Sequence, residues 1–523
     1  MNHPGKSIDG LSHRYERLLE RFSDQIGEPA SSYGPASQNI REEIVRCLWF
    51  GSHFSPEELR TDEGARLEVL SPGWWNVEGG PDFMRAEILM EGAGRLVGDV
   101  EVHTRASSWY AHGHHKQPEY NDVCLHVVMW SEDQQVTVKR EDGRPVPQLT
   151  LSDFLDEEIG ELVQIVDLEG EDAEPTDHPV KDRFCGRALR EGVIQPSWVG
   201  KLLDAAGDQR VISRSNRIGQ EMQETTGEEV LCARIADALG YKNNRLGFRQ
   251  LTSALPVSTV REIIPQDGTR REKGRAIEAA CYGIGGFLDT PLDDADEETR
   301  LYVDELRGVW DRLPKNLRQN TMTPDHWHFG GTRPVNFPTR RIAALAGLYA
   351  RHLPDGLLGT LTRTVLSAKA EGRRRLDTTI RDALTGLFTE IEHPYWSHRY
   401  SLGGKRLGKA RALVGSQRAK AILVDVLIPS LFARARTTDT PELARRIEGV
   451  WAGLPRRQPN TVVRRMKEVI FGESPGIAGE VIDSARRQQG LHQIHNDFCA
   501  ARTGCSSCVI WLASRSDHPM TAG

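Results

Sequence analysis

No stretch of the 523-residue chain holds the ~18 consecutive apolar residues of a membrane-spanning helix, so no membrane crossing is expected. Met1 to Glu20 is polar and lacks the apolar run of a secretory signal. The expected compartment is therefore the cytoplasm, where thiols stay reduced. Cysteine is scarce: 8 residues in a chain this long exclude a disulfide scaffold. With 49 Gly and 27 Pro and no Gly-x-y register, a collagen-like chain is excluded. No repeat of fixed period is visible, which disfavours a regular solenoid. The glycine-rich stretch Gly283 to Phe287 lacks Gly-Lys-Ser/Thr, so it is no phosphate loop and fits close helix packing better. What remains is a globular chain long enough for roughly three domains.

Charge is unevenly placed. The net is -7, yet residues 301–523 hold 34 Lys+Arg against 20 Asp+Glu, and residues 1–300 hold 33 against 54. A basic half fits a polyanion partner, and an acidic half fits bound cations; solvated helical surfaces are the plainer reading of both.

Periodicity divides the chain further. Residues 1–38 read as a polar lead-in. A helix is predicted over Asn39 to Phe50, and strands over Leu67 to Leu70, Pro81 to Met90, Leu96 to His103, Asp122 to Trp130 and Val146 to Leu151. The second and third strands form a hairpin around Glu91 to Gly94. Residues 39–152 are thus an α/β domain with a mixed sheet. Residues 153–182 form an acidic connector, with a short helix starting at Ser152. Residues 183–475 form a large, mostly α-helical region, with helices over Glu228 to Leu239, Lys273 to Leu288, Glu297 to Leu313, Thr339 to Arg351 and Leu443 to Leu454. Residues 476–523 hold a helix over Ile477 to Phe498 and a Cys-rich tail.

The hairpin carries the sharpest chemistry. Asp82 stands at the mouth of one strand; Asp99, Glu101 and His103 share one face of the next, and Val100 and Val102 the other. Acids held together on one face need partners, and a divalent cation is an obvious one. Pro81-Asp82 followed by Glu101-Val102-His103 resembles the PD-(D/E)XK nuclease superfamily, with His103 at the usual Lys position. The resemblance implies a restriction-endonuclease-like domain in which Asp82 and Glu101 hold Mg²⁺ or Mn²⁺. It also implies an acid on the preceding helix, Glu43 or its neighbour Glu42, that orients water or metal. A longer match runs through Asn76 to Phe83, Gly98 to His103, Ser107 to His114, Tyr120 to Val128, Arg333 to Pro338, Arg341 to Ala346 and the C-terminal cysteines. It is similar to an uncharacterised bacterial family and brings no established activity. The function expected is metal-dependent cleavage of DNA or RNA. The alternative is a non-catalytic nucleic-acid-binding or protein scaffold on a degenerate nuclease fold.

His112 and His114 stand beside Lys116 in a loop-like stretch that could contact phosphates or base edges; zinc and a solvated loop are the other readings. Lys116 could also supply the missing ammonium. His126 is expected as a hydrogen-bonded strand residue. Cys499, Cys505 and Cys508 are close enough for a metal in a reduced compartment, zinc or an iron–sulfur cluster, with Cys185 as the fourth ligand and His495 as runner-up. Arg333, Arg340 and Arg341, around a proline-fixed loop, are candidate phosphate contacts. His393 to Tyr400 is either a stacking platform for single strands or an ordinary inter-helix loop.

Overall fold

Alternating apolar residues build the N-terminal sheet. The computed structural model describes residues 6–20, 42–155 and 185–515, apart from 51–53, 55–58, 77–79, 133–136, 186–187, 190–191, 241–243, 293–294, 320, 324–325, 331, 354, 473–474 and 501–507. The strands are β1 (Leu67–Ser71), β2 (Trp74–Trp75), β3 (Phe83–Met90), β4 (Gly94–His103), β5 (Val123–Val128) and β6 (Gln148–Thr150). Their order is β1-β3-β4-β5-β6, with β2 on β3. Pairing is antiparallel from β1 to β4 and parallel from β4 to β6, so the sheet is mixed. The β3–β4 turn places Gly92 and Gly94 at φ +80° and +76°, where a side chain would be strained. Val100 and Val102 are fully buried against Leu125, Val127 and the Val45, Leu48 and Trp49 side chains of helix α2 (Glu42–Phe50). Residues 39–41 of the longer helix predicted there lie outside the described residues. Parallel strands need a crossover. The connection from β4 to β5 provides it with helix α3 (Ser108–Ala111) and two tight turns, His114–Lys116 and Pro118–Tyr120.

After the sheet, a single-turn helix over Leu151–Phe154 replaces the helix predicted from Ser152, and most of the acidic connector lies outside the described residues. From Pro196 the chain is mostly helical. The predicted helices occur as Gly227–Gly240, α5 (Arg270–Ile284), Glu297–Trp310, α6 (Pro338–His352) and Pro441–Ala452. Local chemistry sets their starts: Thr269 and Glu272 form a reciprocal capping box, and Asp296 caps the Thr299 amide. Among the described residues no helix is long and apolar enough to cross a membrane.

Two predictions at the chain's ends need correction. The polar lead-in contains helix α1 (Lys6–Glu20), which buries Leu11 and Tyr15. Its apolar stripe is narrow, so overall polarity masked it. The predicted helix Ile477 to Phe498 is broken into Pro475–Val481, α7 (Ala485–Ile494) and a wider turn, His495–Ala500. Ser484 restarts it by accepting the Arg487 amide at 3.3 Å. Helix α4 (Pro196–Glu224) crosses α7 at two glycines. A Cβ on Gly490 would lie 2.0 Å from the Leu203 carbonyl oxygen, and one on Gly207 2.2 Å from that of Arg486. Around this crossing Tyr15, Trp198, Leu202, Val462, Leu491 and Val509 share a core made from both ends of the chain.

Candidate functional site

The reversal of direction between β3 and β4 brings the two acids together. The Asp82 amide donates to Glu101 Oε2 at 3.0 Å, and the Val102 amide donates to Asp82 Oδ2 at 3.0 Å. Each carboxylate is thus held by backbone and keeps one oxygen for other work. Both acids are buried, at 7% and 4% exposure. Burial, then the Glu101 charge, pushes the Asp82 carboxyl up to about 7, with Arg46 opposing. Asp99, on the same strand face, serves the backbone instead. It accepts the amide of Arg85, a bulge residue at φ +56°, at 2.9 Å.

Helix α2 does bring an acid to the site, through an arginine. Arg46 Nε lies 2.9 Å from Asp82 Oδ1, and its Nη2 2.6 Å from Glu42 Oε1. Arg46 thus links Glu42 to Asp82; the Glu43 side chain lies outside the described residues. Arg46 was missed in the sequence, although its spacing of four from Glu42 was a usable signal.

The crossover lays its histidines over the face that carries Glu101. His114 Nε2 is 3.1 Å and His103 Nε2 3.5 Å from Glu101 Oε1, and His112 Nδ1 is 3.1 Å from His103 Nε2. Ligand-capable atoms of His103, His112 and His114 all lie within 4.8 Å of one another. His103 and His126 are fully buried, and His114 is 7% exposed; His112 is exposed. His114 stacks on Tyr120, ring centroids 3.9 Å apart, and meets the edge of Trp109. Trp109 and Tyr120 are thus walls of this site. Burial, then His126, His114 and His112, drives His103 down to about 2, and burial takes His126 down to about 3. His103 is a neutral imidazole and cannot replace the positive charge of a lysine. Lys116 does not replace it either: it is exposed, and among the described residues it makes no ion pair with Asp82 or Glu101.

The remaining sequence candidates divide. Arg333 is exposed on its loop. Arg340 and Arg341 require correction as phosphate contacts, because both are buried, at 0% and 4% exposure. Arg340 donates to the carbonyls of Trp396, Val335 and Arg411 at 3.1–3.2 Å, and Arg341 to that of Leu413 at 2.7 Å. They lock the segment ending near Leu413 onto α6. Tyr395 and Trp396 are also buried, so His393 to Tyr400 is a packed loop and no stacking platform. Cys185, Cys508 and the partly buried Cys499 lie in the apolar core made from both chain ends. A hydrogen bond with Cys185 lowers the pKa of the Cys508 thiol despite burial. Cys505 lies outside the described residues, and no disulfide joins the described cysteines.

The fold and site define a two-part protein: a mixed-sheet domain holding a buried acid–histidine cluster, joined to a long helical region. The chain belongs to the family described as a protein of unknown function, DUF2851, whose model matches residues 42–458. That match takes in the sheet, the cluster and most of the helical region, and stops before Cys499. No curated protein and no solved structure matches the chain.

Proposed function

We propose that the sheet domain is a PD-(D/E)XK-like, metal-dependent nuclease that hydrolyses phosphodiester bonds of DNA or RNA. One observation carries this reading: Asp82, at the mouth of β3, and Glu101, on β4, sit side by side, each with one carboxylate oxygen held by a backbone amide. A buried, closely set acid pair is the kind of donor set a divalent cation satisfies. Bound there, Mg²⁺ or Mn²⁺ supplies water activation and offsets phosphoryl charge. Arg46, paired with Asp82 and Glu42, takes the charge-balancing part of the missing lysine. Burial holds His103 neutral, so it offers a lone pair and no charge to the site. The exposed cations Arg373 to Arg375 and Lys405 to Arg411 supply phosphate contacts on the helical region.

The test is cleavage of single- and double-stranded DNA and RNA with Mg²⁺ or Mn²⁺. Asp82→Ala and Glu101→Ala are expected to lower the rate about 10²-fold or more. Equal rates in wild type and both variants would end the enzymatic reading and leave the non-catalytic scaffold. Absence of binding at low salt would end the nucleic-acid reading altogether.

Cys185, Cys499, Cys505 and Cys508 we read as a separate zinc or iron–sulfur site. The thiol contact between Cys185 and Cys508 supports it. Anaerobically purified protein is expected to contain zinc or to show iron–sulfur absorbance that Cys505→Ser removes; neither metal would refute the site.

A further inference from the structure

The hydrogen bonds around the histidines fix where their lone pairs point. Gln148 Nε2 donates to Asp62 Oδ2 at 2.7 Å, so its Oε1 is the atom that faces His126 Nδ1 at 3.1 Å. His126 therefore carries its proton on Nδ1 and accepts at Nε2, 2.9 Å from His103 Nδ1. That places the His103 proton on Nδ1 and leaves Nε2 an acceptor lone pair, 3.1 Å from His112 Nδ1 and 3.5 Å from Glu101 Oε1. His114 repeats the arrangement. Its Nδ1 lies 3.0 Å from Gln117 Oε1, an acceptor, and its Nε2 faces Glu101 Oε1 at 3.1 Å. His114 Nε2 is buried and makes no hydrogen bond of acceptable geometry. Imidazole nitrogens of His103, His112 and His114 and a carboxylate oxygen of Glu101 thus converge on one small space.

Imidazole nitrogens and a carboxylate oxygen gathered this closely are a donor set that a metal cation suits. Four-coordinate zinc, with ligands at about 2.0–2.1 Å, needs donor atoms about 3.3 Å apart. Three of the separations here are 3.1, 3.1 and 3.5 Å, from Glu101 Oε1 to His114, His103 to His112, and Glu101 to His103, and the histidine atoms all lie within 4.8 Å of one another. The remaining oxygen of Asp82 lies 2.9 Å from Arg46 Nε. We infer that Glu101, His103, His112 and His114 form a binding site for a transition-metal ion of the zinc class, with His126 and Gln148 as the outer shell that orients His103. Imidazole selects such ions over Mg²⁺. The inference rests on reading this pocket as a metal centre, and it adds histidines to the ligand set on the Glu101 side.

Cobalt(II) is the probe for the full-length protein, because its spectrum separates nitrogen–oxygen ligands from the thiolate charge transfer of the cysteine site. Wild type is expected to take up Co²⁺ with a nitrogen–oxygen spectrum, displaced by Zn²⁺ and unaffected by excess Mg²⁺. Both His112→Ala and His114→Ala are expected to weaken it at least tenfold. His112 is exposed, so its variant keeps the fold and the test. Absence of that spectrum, or a smaller loss in either variant, overturns the site. Co²⁺ bound this way without nucleic-acid cleavage keeps the site and ends the hydrolytic reading. Cleavage with Mg²⁺ that ignores both histidine variants, in protein without that spectrum, ends the site and keeps the hydrolytic reading.

Discussion

Replacing Gly490 by Ala tests the packing of α4 on α7 directly. The new methyl carbon would sit 2.0 Å from the Leu203 carbonyl oxygen and 2.7 Å from its carbonyl carbon. Both are backbone atoms, so no side chain can rotate away. Restoring ordinary contact requires the helices to part by about 1.4 Å, an overpacking strain of roughly 1–3 kcal/mol. The same movement stretches the contacts that flank the crossing: Arg486 Nε to Asp208 Oδ1 at 2.7 Å, Arg487 Nε to Asp204 Oδ1 at 3.0 Å and Arg210 Nε to Gln489 Oε1 at 2.7 Å. Each charged hydrogen bond contributes about 1.5–3 kcal/mol. Alanine's better helix propensity returns about 1 kcal/mol. The net expectation is a loss of roughly 3–5 kcal/mol, read as a lower urea midpoint. Gly479→Ala is the control, since a Cβ there meets nothing within 4 Å. It is expected to stabilise by about 0.5–1 kcal/mol. If Gly490→Ala came within about 1 kcal/mol of wild type, the backbone-to-backbone crossing would be refuted.

Other expectations concern charge. Burial raises the Glu278 carboxyl, but His393, Arg275 and Tyr302 outweigh it and hold it at about 2. Its unfolded value is higher, so its stabilisation, on the order of 3 kcal/mol, is complete above the unfolded value and is lost as pH falls through about 2. Glu278→Gln should remove that acid limb from urea unfolding between pH 7 and pH 2; an unchanged limb would contradict the network. Arg340→Met leaves buried carbonyls without their donor and should cost a few kcal/mol without changing nucleic-acid affinity. Converting the exposed Arg373, Arg374 and Arg375 to Ser should do the opposite: stability within about 0.5 kcal/mol, and weaker binding with a shallower salt dependence by electrophoretic shift.

The strands were legible because alternation and glycine turns leave local marks: Val100 and Val102 against Glu101 and His103, and Gly92 to Gly94 between β3 and β4. The neighbourhood of Asp82 and Glu101 followed from the hairpin. What surrounds them did not. Whether His112 and His114 stand off in solvent or fold onto β4 depends on the crossover between parallel strands, and no local pattern encodes that path. Arg340 and Arg341 misled for a related reason. Cations in a first helical turn oppose the dipole, which suggested an anion, whereas distant carbonyls near Trp396 and Leu413 receive them. The break at Ser484 was hidden by continuous apolar periodicity on either side.

The core made from both ends of the chain has a consequence in time. Tyr15 Oη donates to Asp497 Oδ2 at 2.6 Å across 482 positions of sequence. At synthesis rates of about 5–20 residues per second, α1 would wait on the order of 25–100 s for this partner to leave the ribosome. The sheet, whose strands lie between Leu67 and Thr150, closes long before that. During the interval α1 can pack on α4, but the face of α4 that receives α7 has no cover of its own. The nascent protein would thus carry a finished site on one part and an open seam on another, and the seam is where a chaperone or a protease would first find it.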